Sequence, residues 1–167
     1  MKQLTKQIID EVFAKTNINQ SYLEKDWYMV YVLEIISSLN TDTLKAVFSG
    51  GTSLSKGYGI INRFSEDIDF SIIGLDNSSR KERSRYKDEL VKAINATGIL
   101  SVEEDSIFSR DENRFTNFYI NYPKEFSLED SLRSNLKLEL NFKTTYLKPV
   151  SKKITSFVQP YFLVILI

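Results

Sequence analysis

The stretch that decides the fold runs from Gly50 to Phe70 and reads GGTSLSKGYGIINRFSEDIDF. It begins with a Gly-Gly pair and two hydroxyl residues, and it ends with a D-x-D pattern. A short apolar strand followed by Gly-Gly, a hydroxyl residue and a helix is typical of a phosphate-binding turn, because glycine lets the backbone approach a ligand and the helix start offers unpaired N–H groups. The alternative is a turn that only needs a positive φ at one glycine. The order Lys56-Gly57 excludes a P-loop, which requires Gly-Lys-Ser/Thr.

Two carboxylates stand near the end of this stretch. Residues Asp67–Ile73 alternate between polar and apolar side chains, which predicts a half-buried strand. On such a strand Asp67 and Asp69 point to the same side, about 7 Å apart. Like charges on one face repel each other unless a cation lies between them, and Mg²⁺ accepts carboxylate and phosphate oxygens together. Beside a phosphate turn the pair predicts metal-assisted phosphoryl chemistry, and the alternative is two aspartates on a solvated face.

A third acid comes from a later strand. Between residues 135 and 143, leucines and a phenylalanine alternate with Lys137, Glu139 and Asn141, which face away from the core. If this strand pairs beside Asp67–Ile73, Glu139 completes a three-acid site for magnesium. Otherwise it is an outward-facing glutamate.

The composition narrows the chemistry further. The 167 residues include no histidine and no cysteine, and 22 basic side chains balance 22 acidic ones. These counts exclude disulfides, Cys/His zinc sites and imidazole catalysis, so any catalytic acids are carboxylates and any metals are hard cations. The zero net charge gives no global field toward nucleic acid or a membrane surface.

Both ends of the chain bear on its location. The N-terminus lacks the apolar core of a signal peptide, and the final YFLVILI, Tyr161–Ile167, is too short to cross a bilayer. We therefore expect a cytoplasmic protein without a membrane partner. The apolar end is expected either to pack on the helix that begins at Tyr22 or to pair with a second copy of the chain.

Apolar periodicity predicts the remaining elements. A first helix is indicated by four residues at helical spacing: Leu4, Ile8, Val12 and Phe13. A second helix is predicted to start with a capping box of Ser21 and Glu24 and to bury Trp27 and Tyr28. Further elements are expected as a strand at 44–48, a helix capped by Thr52 or Ser53 that reaches about Ile61, a helix from Ser78–Ser79 to near Gly98, and strands at 99–103, 114–122 and 135–143. This order predicts an α/β (α+β) fold with a mixed, mostly antiparallel sheet flanked by helices.

A glycine turn into a helix, a D-x-D strand and a later acid together resemble the DNA polymerase β-like nucleotidyltransferase superfamily. Three segments more closely resemble the AbiEii/AbiGii nucleotidyltransferase toxins of bacterial toxin–antitoxin and phage-defence (abortive infection) systems: EKDWYMVYVLEII (Glu24–Ile36), FSGGTSLSKGYGIINRFSEDIDF (Phe48–Phe70) and LKLELNF (Leu136–Phe142). The resemblance covers about residues 22–142. That family usually has a lysine directly before the Gly-Gly pair, where this chain has Ser49.

The resemblance implies a nucleotidyltransferase fold and transfer of a nucleotide from an NTP, with GTP as one candidate, to an RNA such as tRNA or to a protein. It also implies Mg²⁺ and a cognate antitoxin protein. In this reading Asp67, Asp69 and Glu139 are catalytic and hold the metal. The residues expected to hold the nucleotide are Gly50, Gly51, Thr52, Ser53, Lys56, Arg63 and Ser65. A surface lysine is the alternative for Lys56, and a salt bridge to Glu66 is the alternative for Arg63.

Family members continue into a helical C-terminal half with further motifs. Over residues 1–167 we therefore expect a single nucleotidyltransferase domain without that half. A catalytically inactive domain that binds nucleotide or a partner is the alternative function. The basic run RKERSRYK, Arg80–Lys87, is expected to be a solvated helix face, with a patch for RNA phosphates as its alternative.

Overall fold

The computed structural model describes residues 4–39, 43–61, 64–74, 78–143, 148–158 and 162–167, with the backbone alone at 162–164. In chain order the elements are α1 Lys6–Thr16, α2 Gln20–Ser38, β1 Leu44–Ser49, α3 Gly50–Ser53 with a π-helical continuation at Leu54–Tyr58, β2 Asp67–Gly74, α4 Arg80–Asn95, β3 Ser101–Val102, a 3₁₀ turn at Glu104–Ser106, β4 Phe108–Arg110, β5 Phe115–Asn121, β6 Leu136–Phe142, β7 Ser151–Thr155 and β8 Phe162–Leu166. None of the helices in these ranges combines the length and apolar character needed to cross a bilayer.

The main sheet has the strand order β1-β2-β6-β5-β3, and β4 pairs with β5. The β2–β6 pair is parallel and the other pairs are antiparallel. One face of this sheet shares a single apolar core with α2 and α4. The predicted fold class, a mixed and mostly antiparallel sheet flanked by helices, is therefore confirmed.

Strict alternation explains which face of the sheet is buried. In β6 the side chains of Leu136, Leu138, Leu140 and Phe142 are buried, while those between them are only half-buried. β2 buries Ile68, Phe70 and Ile72 in the same way. Because successive side chains of a strand point to opposite faces, the polar residues of both strands share the face that the helices leave open.

The start of α2 differs from the predicted capping box. The helix begins at Gln20, and the side chain of Asn19 caps it by accepting from the backbone N–H of Ser21 at 2.9 Å. Ser21 and Glu24 are buried, and Glu24 accepts from the backbone N–H of Glu125 at 2.9 Å. The prediction was wrong because Glu24 is used to hold a distant segment. A complete capping box is present at Ser79 and Glu82, where α4 begins.

The helix after β1 is also shorter than predicted and is capped differently. It begins at Gly50 after Ser49, so Thr52 and Ser53 lie inside it. It then widens into a π-helical turn that ends at Tyr58, before the predicted Ile61. Gly59 terminates it with a left-handed φ of 64°, a conformation that glycine adopts without steric cost.

Apolar spacing identified α1 but only part of its buried face. Ile9 is buried and Val12 packs against the core, whereas Ile8 and Phe13 are exposed. The predicted strand at 99–103 is only two residues long, and β4 was not predicted. Strands of two or three residues are too short for alternation to fix their ends or, for β4, to reveal the strand at all.

The apolar end of the chain forms a hairpin within the same molecule. β8 pairs antiparallel with β7 and lies against α2 and β1. Ile154 and Ile165 are buried in the main core. Of the two expectations for this segment, packing on the helix near Tyr22 is therefore confirmed, and β7 supplies a partner strand that sequence periodicity did not reveal.

We predict that Ile165→Ala destabilises the fold by about 2–4 kcal/mol, because it removes a buried side chain from a packed site. Ile165 is 3% exposed. The matched control is Ile60→Ala, since Ile60 is 68% exposed and should change the free energy of unfolding by less than about 0.5 kcal/mol. Urea denaturation measures both variants. Equal effects would show that the hairpin is not part of the cooperative fold.

Candidate active site

The predicted acids meet at the centre of the open face of the sheet. In the parallel β2–β6 ladder Asp69 is the direct neighbour of Glu139, and Asp67 is the neighbour of Lys137. Adjacent strands lie about 4.8 Å apart, so three carboxylates share one small area. The expectation that the strand of Asp67 lies beside the strand of Glu139 is confirmed.

The surroundings of Asp69 destabilise its ionised form and so raise its pKa. Burial is the largest cause that raises the pKa of this carboxyl, followed by the negative charges of Glu139 and Asp67. Lys137 and Lys143 oppose the rise. A carboxylate that is destabilised by burial and by two other carboxylates gains from an added cation.

The glycine turn lies directly against this acid. Gly50 has a φ of 72°, and a Cβ added there would lie 2.0 Å from Oδ2 of Asp69. Any side chain at this position would therefore displace the carboxylate. Ser49, the residue before the turn, pairs with Asp69 in the β1–β2 ladder. The structure thus brings the Gly-Gly turn and the D-x-D strand into contact, as the sequence predicted.

The hydroxyl residues near the turn have internal partners. The side chain of Thr52 donates to the backbone oxygen of Asp67 and lies 2.7 Å from the hydroxyl of Ser65. Ser53 donates to the backbone oxygen of Gly50 at 2.9 Å. Thr52 and Ser53 are each only 2% exposed. These hydrogen bonds fix the turn and the start of β2, Ser53 also lines the cleft beside Gly50, and a role of the two side chains in holding the triphosphate stays a prediction.

Two cations that sequence reasoning missed lie on the acids. Arg133 donates to Oδ1 of Asp67 at 2.5 Å, and Lys137 lies 2.6 Å from Oε1 of Glu139. Within the described residues, no group of three or more acidic side chains forms a ready metal cage. Two of the three carboxylates are instead paired with these cations. Lys137 could have been found two positions before Glu139, whereas Arg133 lies 66 residues from Asp67 and gives no local signal.

The donor set nevertheless fits a divalent metal. Mg²⁺ prefers carboxylate oxygens, and three carboxylates stand at Asp67, Asp69 and Glu139. Burial, and after it the charges of Glu139 and Asp67, raises the pKa of Asp69, so a bound cation would favour its ionised form.

One cleft borders Asp67, and a second borders the Gly50 turn. A polar cleft of about 330 Å³ adjoins Asp67 and is lined by residues that include Tyr22, Phe64, Ser65 and Arg133. A larger, mostly apolar cleft of about 580 Å³ adjoins Gly50. A site flanked by clefts of this size has room for a small-molecule substrate.

Comparison with known proteins agrees with this geometry. The sequence description of the family "Nucleotidyl transferase AbiEii toxin, Type IV TA system" matches residues 32–165. The chain belongs to this AbiEii family. None of the curated proteins compared with it matches significantly.

Two solved structures are similar to this AbiEii domain. The first is "MenT4, nucleotidyltransferase toxin" from Mycobacterium tuberculosis H37Rv, with a TM-score of 0.56 and 20% identity over 90% of this chain and 48% of that one. The second is Cid1 in complex with its short product ApU, with a TM-score of 0.37 and 11% identity over 82% of this chain and 36% of that one. The chain spans about half the length of MenT4, and the likeness to MenT4 establishes the nucleotidyltransferase fold.

The predicted phosphate-binding role of Lys56 in this AbiEii domain is corrected by its contacts. Its ammonium group forms a salt bridge with buried Asp26, donates to the backbone oxygen of Thr155 at 3.2 Å and lies 4.9 Å from the ring centroid of Phe157. Its side chain is 9% exposed. Lys56 therefore points into the protein and is not available to a triphosphate, and the surface-lysine alternative is wrong as well. Arg63 lies outside the described residues.

The basic run at the start of α4 is not a free cationic patch. Arg83 is buried and donates to the backbone oxygens of Glu112 and Ser78. Arg85 pairs with Glu89. α4 also packs on the face of the sheet opposite the acids, where Tyr86 contacts Phe142. These observations argue against the RNA-patch alternative and favour a helix face with one buried arginine.

We predict that Gly50→Ala destabilises the protein by about 3 kcal/mol, because it combines a strained φ with a collision with Asp69. Gly98→Ala is the matched control. Its φ is 67°, and an added Cβ meets no atom of the described residues within 4 Å, so it should cost only about 1 kcal/mol of backbone strain. Urea denaturation compares the two. Similar losses would contradict the close contact between Gly50 and Asp69.

We also predict that Lys56→Met costs about 3 kcal/mol of stability, because it leaves the carboxylate of Asp26 buried and unpaired. The double variant Lys56→Met/Asp26→Asn should recover part of this loss, since the second change removes the charge. Lys6→Met, in an exposed pair with Asp10, is the control and should cost about 0.5 kcal/mol or less. A Lys56→Met variant of normal stability that loses nucleotide binding would restore the phosphate-binding role.

Proposed function

We propose that this domain is the nucleotidyltransferase part of a toxin in a cytoplasmic toxin–antitoxin system. It would transfer a nucleotide from an NTP to an RNA or protein acceptor in a Mg²⁺-dependent reaction, and a cognate antitoxin protein would restrain it. The observation that carries the proposal is the contact of the Gly50 turn with Asp69, which is itself in register with Glu139. Membership of the AbiEii family supports the reaction class.

Each part of the site has a role in this reaction. Asp67, Asp69 and Glu139 would hold Mg²⁺, which supplies positive charge to the phosphates when bound. The backbone amides at Gly50 and Gly51 would position the triphosphate, while Thr52, Ser53 and Ser65 keep the turn in place from behind. The acceptor's hydroxyl oxygen bonds to the α-phosphorus, and the bond from the α-phosphorus to the bridging oxygen breaks. Pyrophosphate leaves with the electron pair, and the hydroxyl proton passes to a carboxylate of the cluster.

The nucleotide and the acceptor are open to direct tests. GTP is the first nucleotide to compare with ATP, CTP and UTP, and tRNA is the first acceptor. Label from an α-³²P NTP should appear on the acceptor if transfer occurs. The second candidate function is a domain that binds nucleotide or a partner without transferring. The pairing of Asp67 and Glu139 with cations favours it, and binding without label transfer would establish it.

We predict that Asp69→Asn abolishes Mg²⁺-dependent NTP binding in calorimetric titration, because it removes the central carboxylate. The control is Asp88→Asn on α4, where the carboxylate is exposed and pairs with Lys87, and it should bind NTP as the parent does. Equal NTP binding by Asp69→Asn and the parent would exclude the metal role of Asp69.

Asp69→Asn should raise the stability of the metal-free protein although it abolishes NTP binding. Because the pKa of Asp69 is raised in the folded protein, the folded state binds the proton more strongly than the unfolded state. The ionised carboxylate therefore destabilises the metal-free fold above its folded pKa, and this penalty disappears below the ordinary value of 3.8. Asp69→Asn should thus be more stable than the parent at neutral pH, with the difference fading as the pH falls to 3.8.

A further inference from the structure

The pair between Arg133 and Asp67 stands at the edge of the acid cluster and contributes little to folding. The guanidinium donates to Oδ1 of Asp67 at 2.5 Å. Its side chain is 47% exposed, and that of Asp67 is 42% exposed. Ion pairs in water at this exposure stabilise a protein by about 0–1 kcal/mol. The stability of the fold therefore does not explain why Arg133 is placed beside Asp67.

The backbone of Arg133 is held in place by two partners. Its N–H donates to Oε2 of Glu66 at 2.9 Å, and its carbonyl oxygen accepts from Lys25 at 2.8 Å. Lys25 is fully buried and forms a salt bridge with the same Glu66 oxygen. Burial lowers the pKa of Lys25, and Glu66 opposes that change. A buried ion pair, which roughly breaks even in energy, thus fixes both peptide groups of one loop residue.

The position held in this way adjoins the metal-binding acids and the polar cleft. The lining of the cleft of about 330 Å³ includes Asp67, Arg133, Tyr22 and Phe64. Tyr22 contacts Phe64 edge-to-face and lies 2.7 Å from the hydroxyl of Ser131, in the same loop as Arg133. The backbone of Arg133 is therefore held beside an open, polar space, and its exposed guanidinium can reach into it.

Binding of a divalent cation at Asp67 would compete with this ion pair. Both cations would be held by the same carboxylate, and a metal and a guanidinium repel each other. A guanidinium released beside bound NTP has phosphate oxygens as its nearest new anions, and its planar donors match phosphate geometry.

We propose that Arg133 is a substrate-binding residue that exchanges between two anions: it neutralises Asp67 in the empty site and binds the NTP phosphates when the metal occupies Asp67. Lys25 and Glu66 are positioning residues that hold it there. This inference rests on the proposed function, since it requires that the site binds a metal–NTP complex.

The test compares Arg133→Gln with the parent in two calorimetric titrations, one with Mn²⁺ alone and one with Mg²⁺–GTP. Removing the competing cation should strengthen Mn²⁺ binding several-fold. Removing a phosphate ligand should weaken Mg²⁺–GTP binding about tenfold, as expected for a lost charge-assisted hydrogen bond. Arg133→Lys, which keeps the charge without the planar donors, should recover part of the GTP affinity.

A charge-matched control and the contrary outcomes complete the design. Arg85→Gln removes an exposed, carboxylate-paired arginine from α4 and should change neither titration. Stronger binding of both ligands by Arg133→Gln would make Arg133 a competitor of the metal only, and weaker binding of both would indicate a structural role. Either result overturns the exchange but leaves the proposed function standing. If the parent binds no Mg²⁺–NTP, with GTP, ATP, CTP and UTP each tried, the proposed function fails and this inference fails with it.

Discussion

Three consecutive charged residues of α2, Glu24, Lys25 and Asp26, are the constraint on which the rest of the structure depends. Each is at most 2% exposed, and each holds a different segment of chain against the helix. Glu24 accepts from the backbone N–H of Glu125. Lys25 donates to the backbone oxygen of Arg133 and forms a salt bridge with Glu66. Asp26 accepts from Ser156 and Phe157 in the segment after β7, and it pairs with Lys56 of the π-helical turn at Leu54–Tyr58. Buried charges are costly unless they are paired, so these contacts determine where three loops can lie.

The acid cluster depends on a second, smaller constraint. β2 and β6 pair in parallel with Asp69 beside Glu139, which places like charges side by side in a half-buried layer. Cross-strand neighbours of like charge are unfavourable, and the protein offsets the repulsion with its own cations, Arg133 and Lys137. The result is a site in which two of the three carboxylates are paired with cations and all three still offer oxygen ligands to a metal. Packing of the opposite face against α2 and α4 keeps the register from slipping, because a shift by one residue would bury the acids.

Sequence patterns predicted what depends on neighbours along the chain. Alternation placed Asp67, Asp69 and Glu139 on one face, and the Gly-Gly pair marked the turn that contacts Asp69. The same reasoning failed where the deciding partner is distant. Glu24 reads as a capping residue and Lys56 as a surface or phosphate-binding lysine, because only the folded chain brings Glu125 and Asp26 to them. Apolar periodicity assigns every charged residue to the exposed face, so it cannot predict which charged residues are buried against a distant partner.

Asp26 also connects the helical turn after Gly50 with the segment that follows β7. It accepts from the hydroxyl of Ser156 and the N–H of Phe157, each at 2.8 Å, and it pairs with Lys56 in the helical turn after Gly50. Opening the β7–β8 hairpin would remove the Ser156 and Phe157 donors from buried Asp26 and the Thr155 acceptor from Lys56, so the hairpin and the turn should open together. Amide hydrogens in both segments would then exchange with solvent at a common rate, through a shared subglobal unfolding event. In this way the last strands of the chain become a determinant of how long the glycine turn stays formed.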